Sequence, residues 1–164
     1  MNKILLDTNI YGELVKESAL LIIKEKIKNK EDLIYGVDVI RKELRDTPKK
    51  SLLLSRNLRI SLLSLYDEFV GKHTIKLNEE MARTAKKYYK VYREFGGAKS
   101  MQEIINDFYI VACASHKEMD VVVTKDKFTM LGELSVKSYK IVDDILNLRT
   151  PKFWDYDYFK RWLI

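Results

Sequence analysis

Cysteine, histidine and proline are scarce in this 164-residue chain, which holds one Cys, two His and two Pro. A lone cysteine, Cys113, excludes an intramolecular disulfide and any cysteine-based zinc cluster. His73 and His116 are too few to build a histidine metal site. No Pro/Gly-rich linker, low-complexity stretch or internal repeat divides the chain. No apolar run approaches the roughly 20 residues that span a bilayer. The N-terminal triplet Ile4-Leu5-Leu6 is cut short by Asp7-Thr8-Asn9, so it does not read as a signal peptide. The expectation is a soluble, cytoplasmic protein with no membrane partner.

What is present suits a globular domain. Hydrophobic residues make up 46% and charged residues 33%, a balance that supports a packed core rather than disorder. The length fits a single core. Thirty Lys+Arg against 24 Asp+Glu leave a net charge of +6. That excess favours polyanionic partners, but it serves solubility equally well, so charge alone does not choose a function.

Short apolar runs alternate with segments of helical periodicity. Ile4-Leu5-Leu6 ends abruptly at Asp7, as a buried central strand would. Asn9 can cap a helix over roughly residues 10 to 29, and Leu33-Ile34-Tyr35 is a second strand candidate. Asp38 then caps a short helix through Glu43 that Pro48 blocks. Another helix is expected over about 50 to 69, and a strand over Thr74–Leu77. Asn78 caps a long helix that ends at Gly96-Gly97, and a further helix covers about 102 to 117. Val121-Val122-Val123 is the clearest strand, and Tyr139-Lys140-Ile141-Val142 is expected to be the last. Such alternation predicts an α/β fold: a three-layer α/β/α sandwich around a mainly parallel sheet. Residues 1–148 form the expected domain, and residues 149–164 an aromatic C-terminal extension that packs on the domain or on a partner.

Ligands of parallel sheets bind beyond the carboxyl ends of the strands. Asp7 follows the first strand directly, and Asp126 lies just past the valine strand. Glu43 borders the apolar positions Val39 and Ile40 on its helix, and Asp107 interrupts an otherwise apolar helix. If the fold delivers these four carboxylates to one edge of the sheet, they repel one another until a cation joins them. An all-oxygen donor set suits the hard ions Mg²⁺ and Mn²⁺. A metal so held activates water and neutralises charge on a phosphate during in-line displacement.

The same residues carry a family resemblance. Ile4-Leu5-Leu6-Asp7-Thr8-Asn9 resembles the opening motif of PIN domains, and Val39-Ile40-Arg41-Lys42-Glu43-Leu44 the second motif with its helical Glu. Asn106-Asp107-Phe108-Tyr109-Ile110-Val111-Ala112-Cys113-Ala114 is similar to the third, and Val121-Val122-Val123-Thr124-Lys125-Asp126 to the fourth. The motifs occur in family order over residues 4 to 128. The resemblance implies an Mg²⁺- or Mn²⁺-dependent endoribonuclease with Asp7, Glu43, Asp107 and Asp126 as catalytic metal ligands. It further implies that Asn9 and Thr124 orient the carboxylates or a water. RNA is the implied substrate, in RNA processing or as the toxin of a toxin–antitoxin pair. An antitoxin or other protein partner and a homodimer are the associations it implies. The chain departs from the pattern in a long segment between Glu43 and Asp107, in Cys113, and in its tail.

Each feature also has a plainer reading. Asp7 and Asp126 suit a helix cap and a turn, Glu43 a solvated helix face, and Asp107 a helix first turn. The basic stripe Arg83, Lys86, Lys87, Lys90 and Arg93 reads first as a solvated face, and Tyr88, Tyr89 and Tyr92 as core. A non-catalytic RNA-binding or scaffold module is the rival from another class. A phosphatase that uses an Asp nucleophile would want a second Asp where Asn9 stands, and structure-specific DNA nucleases carry more acidic residues.

Overall fold

A computed structural model describes residues 1–164. Strands β1 (Lys3–Leu6), β2 (Leu33–Val37), β5 (Thr74–Ile75), β6 (Val121–Val123) and β7 (Lys152–Trp154) form one parallel sheet in the order β5-β2-β1-β6-β7. The register places Ile4 beside Ile34, Leu5 beside Val122, and Val122 beside Phe153. Helices α1 (Thr8–Leu14), α2 (Leu20–Lys28), α3 (Asp38–Arg45), α4 (Leu58–Val70), α5 (Glu79–Glu94), α6 (Met101–His116), α7 (Glu133–Ile145) and α8 (Tyr156–Leu163) cover the sheet, giving the expected three-layer sandwich. No helix is long and apolar enough to cross a membrane.

β1 and β6 lie at the centre because their side chains are apolar on both faces. Ile4, Leu5, Leu6 and all three valines are buried, as a strand covered by helices on both sides requires. The helices turn an apolar stripe inward. On α5, Met81, Ala85, Tyr88 and Tyr92 are buried, while Lys86, Lys87 and Lys90 face solvent. Tyr88, Phe108 and Tyr139 meet edge to face, joining α5, α6 and α7 around one aromatic centre.

Several expectations change. Tyr139–Val142 is not a strand but lies within α7. The buried positions Ser135, Ser138, Tyr139, Val142 and Asp143 recur at helical spacing, which outweighs the short apolar alternation. The last strand is β7, whose Trp154 carbonyl accepts the Thr124 N–H at 3.0 Å. Residues 149–164 therefore supply an edge strand and α8, whose Trp162 carbonyl accepts from Lys30 Nζ at 2.8 Å. The helix expected from residue 50 starts only at Leu58. It is preceded by a tight hairpin, β3 (Leu52–Leu53) and β4 (Arg56–Asn57), turned through Leu54 and Ser55 at positive φ. The helix expected over 10–29 breaks between Leu14 and Leu20, and at the break Glu17 accepts from Tyr156 and Lys160 of α8. Asn9 does not cap α1; Asp7 does, through Thr8 N–H at 2.7 Å. Asp38 is the first residue of α3 rather than its cap, and its carboxylate also receives the Leu77 N–H. Asn78 caps α5 as expected.

Candidate metal centre

Asp7 leaves the end of β1 with its backbone N–H still on the ladder, bound to the Val123 carbonyl at 2.9 Å. The chain then turns into α1, and this places the Asp7 carboxylate over the strand ends. It is only 4% exposed. Oδ1 accepts from Thr8 N–H at 2.7 Å, and Oδ2 accepts from Thr124 Oγ1 at 2.7 Å and Asn9 Nδ2 at 3.1 Å. Asn9 Oδ1 in turn accepts the Lys125 N–H at 3.1 Å, and Thr124 Oγ1 accepts the Asp126 N–H at 3.0 Å. Asn9 and Thr124 thus clamp the two neighbouring loops together around Asp7.

The other three carboxylates arrive from separate elements. Glu43 lies on α3, directly after β2, and its Oε1 accepts from Thr8 Oγ1 at 3.2 Å. Asp107 is held on α6, with its Oδ2 2.6 Å from Thr129 Oγ1. Asp126 follows β6; its Oδ1 accepts the N–H groups of Phe128 and Thr129, and its Oδ2 is in short contact with the same Thr129 hydroxyl. One hydroxyl carries one proton, so Thr129 cannot donate to Asp107 and Asp126 at once. Thr8 and Thr129 were not singled out from the sequence. The signal for both was local: Thr8 sits inside the first motif, and Thr129 is three residues past Asp126, where a hydroxyl reaches back across a turn.

Electrostatically the four acids form one group. Burial pushes the Asp7 carboxyl up to about 6, opposed by the Thr124 and Thr8 hydrogen bonds and helped by the charges of Glu43 and Asp126. Glu43 rises to about 7, through burial first and then Asp107 and Asp46. Asp107 rises to about 7, through burial first and then Asp7 and Asp126. Asp7, Glu43 and Asp107 each feel another acid that lies far away in sequence. None of them has a Lys or Arg partner, because every ion pair in the molecule uses other carboxylates. Even the adjacent Lys125 turns to Glu13, at 2.8 Å.

As the side chains stand, no three acidic, histidine or cysteine groups close on one point at ligand distance. Threonine hydroxyls stand among the four: Thr8 faces Glu43, Thr124 faces Asp7, and Thr129 stands between Asp107 and Asp126. The result is an acidic group with oxygen donors, no basic partner and hydroxyls beside the carboxylates. Asp120, Asp143 and Asp144 do not join it. Asp120 pairs with Arg149 at 3.2 Å, Asp143 is buried among hydroxyls, and Asp144 is exposed. Cys113 is fully buried, and its thiol is pushed up to about 12 by burial first, which leaves it inert as a nucleophile at neutral pH.

No protein-family model and no curated protein matches the chain. Solved structures do. VapBC2 from Rickettsia felis, bound to a DNA fragment from their promoter, is 14% identical with a TM-score of 0.59, over 94% of this chain and 98% of that one. VapBC-1 from nontypeable Haemophilus influenzae is 21% identical with a TM-score of 0.59 over the same shares. FitAcB from Neisseria gonorrhoeae is 18% identical with a TM-score of 0.57, over 92% and 96%. Likeness at these identities speaks for the fold. That fold is the PIN-like sandwich the sequence resemblance implied.

Proposed function

We propose that this protein is a divalent-metal-dependent endoribonuclease, the toxin half of a toxin–antitoxin pair, with Asp7, Glu43, Asp107 and Asp126 as its metal ligands. The observation that supports the reading is the mutual charge effect among four acids, one after β1, one on α3, one on α6 and one in the loop after β6, none of which has a basic partner. Repulsion and burial make that arrangement costly unless a cation enters. The all-oxygen donor set fits Mg²⁺ or Mn²⁺, hard ions that tolerate few protein ligands and keep several waters. Such a fit is compatible with carboxylates that do not close into a cage by themselves.

When bound, the metal supplies an activated water and charge neutralisation at the scissile phosphate. The chain supplies position. Asn9 and Thr124 fix the Asp7 carboxylate by one hydrogen bond each and are themselves joined at 3.3 Å, so that its orientation does not depend on the ion. Glu43 and Asp107 are raised by burial in the metal-free chain, so a cation that binds them has to displace their protons near neutral pH. Thr129, shared by Asp107 and Asp126, is free to release one of them.

The antitoxin partner is supported by the structural likeness to VapBC and FitAcB proteins. Cleavage of a labelled single-stranded RNA with Mn²⁺, by wild type and Asp7→Asn, tests the catalytic reading. Wild type should cut and the variant should not. Equal cutting by both removes Asp7 from the mechanism. RNA binding without cutting by either favours the non-catalytic module.

A further inference from the structure

Along the β5 edge, from the start of β1 to the residues just after β5, the sheet has an open corner. The edge strand β5 is only two residues long and pairs with Gly36 and Val37 alone, so the first half of β2 has no neighbour on that side. A cavity of about 450 Å³ opens there, lined among others by Lys3, Lys72, Lys76, Lys117, Tyr35 and His73. No acidic residue lines it. None of the four ammonium groups has a carboxylate within ion-pair distance. Asp120, which lies next to the corner, is already engaged by the Lys3 backbone N–H at 2.8 Å and by Arg149.

The fold itself assembles this corner. Parallel pairing brings Tyr35 of β2 level with His73, whose carbonyl accepts the Gly36 N–H at 3.1 Å. The two rings stack at 4.9 Å and form a partly exposed aromatic floor. Lys3 enters from the start of β1, Lys117 from the end of α6, and Lys72 and Lys76 flank β5. Unpaired charges of one sign in a concave opening focus the potential there and attract an anion. Protein interfaces are depleted in lysine and need an apolar centre, which this lining lacks. A flexible strand of phosphates needs only spaced cations, with an aromatic surface beside them.

We infer that this corner is a second nucleic-acid contact, which takes the phosphate backbone of a single strand outside the acidic cleft. It rests on the nucleic-acid reading above for its ligand, but not on cleavage. Lys3 and Asp7 are four residues apart along an extended strand, about 13 Å at the usual rise. A substrate that reaches both places must be longer than one that fills the cleft alone.

The test is binding of a 5′-labelled single-stranded RNA of about 20 nucleotides to the full chain in EDTA, across 50–200 mM KCl. Each phosphate contact on a single strand contributes roughly 0.7 to the slope of log affinity against log salt. Replacing Lys3, Lys72, Lys76 and Lys117 together by Gln should flatten that slope by roughly 3. Lys72→Gln/Lys76→Gln, with both positions exposed, should flatten it by about half as much. Unchanged slopes in both variants overturn the inference, as does an equal change on replacing Lys86, Lys87 and Lys90 of α5. Displacement of the RNA by poly-glutamate as readily as by unlabelled RNA overturns the nucleic-acid assignment. Cutting of a tetranucleotide should be the same in wild type and the four-lysine variant. Failure of the nuclease reading would abolish cutting in both yet leave the change in slope intact.

Discussion

Two buried acidic regions lie at opposite ends of the sheet, and they are built on opposite terms. At the lower end Asp143 of α7 is 1% exposed and alone. Its carboxylate receives three hydroxyls, from Tyr88, from Ser115 at 2.8 Å and from Thr150 at 2.7 Å. One acid faces three donors, and the site is complete. At the upper end four acids share the hydroxyls of Thr8, Thr124 and Thr129, and no cation lies among them. A buried charge that has enough donors ties α5, α6, α7 and the approach to β7 together. A group of charges that has too few stores repulsion until something binds. Burial is common to both regions; the deficit of partners is what separates them.

The sharpest break in that comparison is Asp7→Asn, which should lower Mn²⁺-dependent RNA cleavage by about 1000-fold or more, on the order of 4 kcal/mol of lost transition-state stabilisation. Single-turnover cleavage at saturating enzyme measures it. The same substitution should not destabilise the metal-free protein at pH 8, because it removes a repelled charge.

Asp143→Ala should do the reverse. It leaves the Tyr88 and Ser115 hydroxyls buried without their acceptor and should cost about 3 kcal/mol. For a chain of this size that is a fall in Tm of roughly 10 °C, read by thermal unfolding. RNA cleavage at temperatures where the variant is folded should persist.

Stability against pH separates the two regions without mutation. The Asp7, Glu43 and Asp107 carboxyls have folded values of about 6, about 7 and about 7, above their ordinary range near 4. Between those limits the folded chain binds more protons than the unfolded chain, so stability falls as pH rises from about 4 to about 7 and then levels off. Asp7 alone contributes on the order of 3 kcal/mol to that loss. Metal-free protein should therefore melt lower at pH 8 than at pH 5. Mn²⁺ should raise Tm far more at pH 8 than at pH 5, since protons compete with it. A flat profile in EDTA would show that neither burial nor mutual repulsion raises the upper acids.

The smallest effect concerns orientation. Thr124→Val keeps the shape of a buried residue and removes the hydroxyl that donates to Asp7 Oδ2. Loss of a group that orients a ligand costs about 10–100-fold in metal affinity. Mn²⁺ titration followed by thermal shift should show that loss, with cleavage restored at high Mn²⁺. Full affinity in the variant would make Thr124 a packing residue only.

Much of the upper region is legible in the primary structure because it is built from local motifs at strand ends. Asp7 follows Ile4-Leu5-Leu6, and Thr124 and Asp126 follow three valines, so the strand signal and the acid lie together. Glu43 and Asp107 could be placed on helices, and the structure puts both of them there. Thr129 as a bridge between α6 and the β6 loop was not legible, because its partner Asp107 is 22 residues away. Nor was Asp143, whose acceptor role depends on hydroxyls from three other segments. Tyr139 and Val142 misled because a four-residue apolar alternation fits a strand and a helix alike until its neighbours decide.

Residue order by itself determined the alternation of strands and helices, the central burial of β1 and β6, and the carriers of the four acids, because hydrophobic period and strand-end chemistry are short-range properties. Tertiary structure decided which acids feel one another's charge, which hydroxyls they share and which lysines line the β5 edge. It also decided that Lys152–Trp154 would close the sheet. Those outcomes depend on contacts between segments tens of residues apart, and charge balance exists only once such segments have been brought side by side.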